Sequence, residues 1–147
     1  MTRRRQLLQA GALGTAATFT TSLYAQTRPT VRWRMAALYP RSLDTCYGAT
    51  EQMCKRVGEL TDGKFSITLH PPGDLVPPLQ VLDAVSAGTV EAGQVTGTFY
   101  FGKNPALMFE PRLPFGRNAR QQNAWLSEGG GLKEVQKVFA QFGCHSV

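Results

Sequence analysis

Few residues in this chain are equipped for chemistry, and they do not converge by spacing. Asp44, Asp74 and Asp83 could in principle supply a pair of carboxylates for proton transfer. Two of them stand where caps and turns favour aspartate, Asp44 ahead of a helical pattern and Asp74 beside Gly73. His70 and His145 are isolated, and no Cys/His spacing matches a zinc site. No serine elbow and no cysteine with a histidine partner is present. The triplet Gly129-Gly130-Gly131 lacks the lysine and hydroxyl residue of a phosphate loop and follows a helical segment, so it reads as a joint between two helices. Neither a catalytic residue nor a metal ligand is therefore assigned. Hydroxyl and aromatic residues are better placed. Tyr39, Ser42, Thr96, Phe99 and Tyr100 fall in loops between regular elements, where such side chains can wall a ligand cleft.

The elements that must position them follow from hydrophobic periodicity. Val31, Trp33 and Met35 alternate with Arg32 and Arg34 and run into Ala36-Ala37-Leu38, a strand entering a core. After the loop Tyr39–Leu43, capped by Ser42 or Asp44, a helix carries Cys46, Tyr47, Thr50, Met53, Val57 and Leu60 on its inner face. Thr61-Asp62-Gly63 stops it. Lys64 to His70 alternates as a second strand. Pro77 and Pro78 suit the first turn of a helix that reaches about Ala87 and buries Leu79, Leu82 and Val85. Val90 to Val95 forms a third strand, and Thr96 to Tyr100 is the loop at its end. Strands that alternate with helices predict an α/β unit with a largely parallel sheet. In such sheets ligands collect beyond the carboxyl ends of the strands, at the loops around Tyr39 and Ser42, around Asp74, and from Thr96 to Tyr100. Further on, Asn118 caps a helix bearing Trp125 and Leu126, and a last helix carries Leu132, Val135, Phe139 and Phe142.

Charge and cysteine content narrow the function further. Residues 1–25 read as an export leader. Arg3, Arg4 and Arg5 form its charged start, Arg4-Arg5 before Gln6-Leu7-Leu8 fits the twin-arginine pattern, and cleavage is expected after about Ala25. Its interrupted apolar run falls short of the roughly 20 residues that span a bilayer. Without the leader, 147 − 25 = 122 residues remain, and 16 − 3 = 13 basic against 10 acidic side chains leave a net charge of +3. No basic block is left to suggest nucleic acid. Cys46 and Cys54 lie roughly 12 Å apart along one helix, too far for a bridge, so the cysteines read as packing residues.

The order of landmarks then carries a resemblance. V-R-W-R-M-A-A-L-Y-P-R-S-L-D precedes E-L-T-D-G-K-F-S-I-T-L, and G-D-L-V-P-P-L-Q-V-L-D-A-V-S-A-G-T-V-E-A-G comes next. F-Y-F-G-K-N-P-A, L-P-F-G and A-W-L-S-E-G-G-G complete the series. Over residues 31–147 this resembles the DctP-type solute-binding proteins of tripartite ATP-independent periplasmic (TRAP) transporters, in the branch that binds 2-oxo acids and related monocarboxylates. The resemblance implies the first lobe of a two-lobe, type II-like periplasmic binding fold. It also implies a small organic anion as ligand, membrane permease subunits as partners, and a homodimer as the assembly open to the full-length protein. In the family a sodium or calcium ion bridges protein and ligand. The residues that hold the carboxylate and that ion, among them a glutamine and an arginine, lie beyond position 147.

Cys144 to Val147 reads as the opening of a strand, which leaves its backbone groups unpaired without a neighbour. Together with the family's greater length, this predicts an N-terminal part of a longer fold that binds organic acids poorly by itself. The competing readings are an exported enzyme and the ligand-binding module of a sensory system. A nucleophile and base in the remaining sequence would favour the enzyme, and an arginine-bearing second lobe would favour binding.

Overall fold

A computed structural model describes residues 29–111 and 115–147. The leader with Arg4, Arg5 and Ala25 lies outside the described residues. Three strands, β1 (Val31–Ala37), β2 (Phe65–His70) and β3 (Ala92–Gln94), form one sheet in the order β2-β1-β3. Both pairings are parallel, with Val31 opposite Phe65 and Met35 opposite Ala92. The parallel arrangement places the carboxyl ends of all three strands on one edge, as the alternation of elements predicts. Among the described residues no helix is long and apolar enough to cross a membrane.

Helix α1 (Asp44–Leu60) joins β1 to β2. The expected side-chain cap is not made. Leu43 is the N-cap, its carbonyl accepting from the Cys46 and Tyr47 N–H groups, and Asp44 stands inside the first turn, where its charge favours the helix dipole. Ser42 stays exposed. Tyr47 and Cys54 are buried, whereas Met53 is 40% and Leu60 82% exposed. The predicted apolar stripe is therefore wider than the sheet beneath it. The lower end of β1 is also open, and Trp33 is covered mainly by Phe65, edge to face at 4.9 Å. At the far end of α1, the Thr61 hydroxyl donates to the Val57 carbonyl and accepts from the Phe65 N–H, fastening the helix to β2. Asp62 and Gly63 turn the chain there at positive φ.

The predicted helix from Pro77 to Ala87 is split. Pro78–Gln80 is a single 3₁₀ turn, and α2 spans Val81–Ser86. Val81, Leu82 and Ala84 are buried, while Leu79 is exposed. Val81 and Ala84 pack with Ala36 and Val90 against the sheet. Leu82 turns the other way into a second cluster with Tyr100, Leu107, Val135 and Phe139. The short helix thus separates two small cores. Helices α3 (Ala119–Ser127) and α4 (Gly131–Ala140) meet at the glycine triplet. A methyl on Gly131 would lie 2.5 Å from the Trp125 indole, so that joint closes only without a side chain. Asn118 caps α3 as expected, its side chain accepting from the Gln121 N–H while Gln121 reaches back to the Asn118 N–H. Cys144 to Val147 does not form a strand; no neighbouring strand offers it ladder partners among the described residues. The three cysteines are free.

The third strand is shorter than predicted, and an ion pair takes over part of its work. Before β3 begins, the Glu91 carboxylate accepts from the Arg34 backbone N–H at 2.8 Å and from its guanidinium at 2.6 and 3.1 Å. The Glu91 side chain thus takes up the Arg34 backbone N–H in place of a strand partner. These bonds hold the Glu91 carboxyl down at about 2, from an ordinary value of 4.5. The stabilisation is present above the ordinary value and drains away as pH falls from about 4.5 through about 2. Circular dichroism across that range should show Glu91→Gln less sensitive to acid than the parent chain. Identical acid profiles would remove the pair from any role in stability.

Candidate functional site

At the carboxyl edge of the sheet, β1 ends in the Leu38 and Tyr39 segment beside the end of β3. The Leu38 N–H donates to the Gln94 carbonyl at 2.9 Å, which aligns the two strand ends. The Gln94 amide donates to the Cys46 carbonyl at 2.7 Å and the Thr50 hydroxyl at 2.6 Å, fixing the start of α1 against β3. Its own carbonyl Oε1 is buried without a hydrogen-bond partner in the structure. Two residues beyond Gln94, Thr96 meets Tyr39, with 2.7 Å between the hydroxyl oxygens. Phe99 stands edge-on to the Tyr39 ring at 6.3 Å and is about half exposed. Tyr39, Thr96 and Phe99 therefore form one continuous wall. Ser42 lies exposed in the loop that follows Tyr39.

Tyr100 departs from the expected arrangement. It is 3% exposed and packs with Leu82, Leu107, Val135 and Phe139. Its hydroxyl lies 3.4 Å from the Leu82 N–H and 3.5 Å from the Pro78 carbonyl. The Gly97–Tyr100 segment is a 3₁₀ turn, so its successive side chains point in different directions. Phe99 is left outside and Tyr100 is driven inward as a core residue. Arg41 is exposed, with its guanidinium 5.7 Å from the centre of the Tyr47 ring.

Two polar residues that support the wall carry no motif. Glu110 Oε2 accepts from the Gly97 N–H at 2.5 Å. Burial pushes its carboxyl above the usual range, and the bond from Gly97 opposes that shift. Gln122, 6% exposed, donates to the Phe109 and Glu110 carbonyls at 3.2 and 3.0 Å. Neither contact has a local sequence signal, since each spans more than ten residues. Two other carboxylates are held in ion pairs, Asp83 with Lys103 and Glu91 with Arg34. No group of three or more His, Cys, Asp or Glu side chains that could hold a metal occurs among the described residues.

Residues 37–146 match the model of the bacterial extracellular solute-binding protein family 7, DctP. This chain belongs to that family. It is 50% identical over 150 residues to a monocarboxylate 2-oxoacid-binding periplasmic protein of a Nostoc species, covering 95% of this chain and 40% of the relative. A TRAP transporter solute-binding protein from Bordetella bronchiseptica superposes with a TM-score of 0.75 at 55% identity, over 78% of this chain and 34% of that one. That protein is a mixed-occupancy dimer, one site holding copurified calcium and picolinate and the other apo. A further TRAP solute-binding protein, from Colwellia psychrerythraea with calcium and pyruvate bound, superposes at 0.74 and 31% identity, over 78% of this chain and 35% of that one. The DctP chain described here thus has the α/β fold expected from its sequence. It spans well under half the length of these relatives.

The calcium in those structures raises the question of what this DctP segment could offer a metal. Its described carboxylates do not converge in a group of three or more, so they do not fit a complete metal site.

Proposed function

We propose that this chain supplies one wall of the ligand cleft in a periplasmic TRAP solute-binding protein that captures a small organic acid, a 2-oxo acid or similar carboxylate, for membrane permease subunits. The pairing of the Tyr39 and Thr96 hydroxyls at the carboxyl edge of the parallel sheet carries the reading. Two hydroxyls that share one hydrogen bond retain one further O–H, free to donate to a ligand oxygen. Phe99 offers an apolar flank and Ser42 another hydroxyl at the rim. Tyr100 serves this wall from beneath, as packing. Likeness to relatives that bind pyruvate and picolinate supports an organic acid as ligand. The leader reading of residues 1–25, with Arg4 and Arg5 as the twin-arginine pair and Ala25 at the cleavage point, supports export to the periplasm.

Affinity in this segment should be low. A carboxylate leaving water is best held by a charged, bidentate donor. Arg41, in the loop between Tyr39 and Ser42, is solvent-exposed beside Tyr47. Lacking such a partner costs on the order of 2–5 kcal/mol, which turns a micromolar site into a millimolar one. Nuclear magnetic resonance titration of the chain with pyruvate and picolinate should shift Tyr39, Thr96 and Phe99 at millimolar ligand and leave Tyr100 in place. Thr96→Val should weaken those shifts several-fold, about what one net hydrogen bond contributes. Shifts confined to other surfaces would overturn the reading, and micromolar binding would overturn the role given to the missing cationic partner.

A further inference from the structure

We propose that Glu110 is a positioning residue for the cleft wall, holding the Gly97–Tyr100 turn so that Thr96 and Phe99 stay on Tyr39. The role assigned to that wall rests on the binding reading above; the hold itself is a matter of geometry. Gly97 opens a 3₁₀ turn, where N–H groups lack partners within the turn. The Glu110 carboxylate takes that N–H at 2.5 Å from thirteen residues away. A charged acceptor makes a stronger and more directional bond than a neutral one.

Glu110 is itself fixed from behind. Gln122 on α3 is buried and donates to the carbonyls of Phe109 and Glu110. A path of hydrogen bonds therefore runs from α3 through Glu110 to Gly97, and the residue immediately before Gly97 is Thr96. The turns touch so closely that a methyl on Gly97 would come within 2.6 Å of the Leu107 carbonyl oxygen and 2.8 Å of Glu110 Oε2. Burial of the carboxylate is the cost of this arrangement, consistent with the upward push on its protonation. Tyr100 anchors the far end of the turn in the core, while at its start the Phe99 N–H donates to the Thr96 carbonyl at 3.1 Å and the Gly97 N–H relies on Glu110.

The test is amide hydrogen exchange and ring-to-ring cross-relaxation by nuclear magnetic resonance on the isotopically labelled chain. Glu110→Ala should speed exchange at Gly97 by about tenfold or more, as loss of a charge-assisted bond requires. It should also weaken the Tyr39–Phe99 cross-peak, while exchange at the Leu38 N–H, bonded to Gln94, stays unchanged. Glu110→Gln keeps a carbonyl in reach of Gly97 and should restore most of both signals. A purely structural role would instead speed exchange at Leu38 as well. Should Glu110→Ala not fold, Glu110→Asp, whose carboxylate stands one methylene short, provides the same comparison. Unchanged Gly97 exchange, or an equal rise at Leu38, overturns the proposal. Titration of the parent chain with pyruvate and picolinate reports separately on the binding reading: silence there with the Gly97 signature intact counts against the ligand and supports the hold.

Discussion

Replacing Leu107 with alanine should cost about 2–5 kcal/mol, a large share of what a domain of this size has to spare. Leu107 is 1% exposed and sits in the cluster of Leu82, Tyr100, Val135 and Phe139. That cluster joins α2, the 3₁₀ segments Gly97–Tyr100 and Pro105–Phe109, and α4, so no single element can collapse into the space left behind. Urea denaturation followed by circular dichroism reads the loss directly. Leu60→Ala is the matched control, because Leu60 is 82% exposed and should change stability by about 0.5 kcal/mol or less. A Leu107→Ala chain as stable as that control would show that the second core is not packed as described.

Gly97→Ala is expected to be the other damaging change, by overfilling instead of emptying. The added methyl would meet the Leu107 carbonyl oxygen at 2.6 Å, a backbone atom that cannot rotate aside. Overpacking of this kind costs about 1–3 kcal/mol. The turn must shift away from the Pro105–Phe109 turn to relieve it, and Thr96 shifts with it. Loss of stability should therefore be accompanied by loss of the Tyr39–Phe99 contact. Gly102→Ala, with nothing within 4 Å of the new methyl, should do neither. Equal effects from the two glycines would refute the steric account of Gly97.

The proposed cleft wall was partly legible in the sequence because its members sit at strand ends, and strand ends follow from periodicity. Tyr39 and Thr96 could be placed on one edge once β1 and β3 were read as parallel. Tyr100 could not be separated from Phe99, since neighbouring aromatics in an irregular loop carry no period from which to read an inner and an outer side. Glu110 and Gln122 were invisible for a different reason. A half-buried carboxylate that meets a backbone N–H thirteen positions away leaves no mark on local composition.

What the sequence by itself determined is the order of elements, their stops and their family. Val31 to Ala37 alternates, Gly63 and Gly88 end helices at positive φ, and Asn118 with Gln121 writes a capping box, all properties of a few adjacent residues. Only the tertiary structure decided how far each apolar stripe is covered. Met53, Leu60 and Leu79 belong to the right periodicity yet remain exposed, because no other described element covers them. Arg34 was legible as a polar strand residue, but its part in completing the sheet depended on Glu91 arriving from another element. Periodicity records which side of an element is apolar; what lies opposite that side is set by contacts between residues far apart in the chain, and those exist only once it has folded.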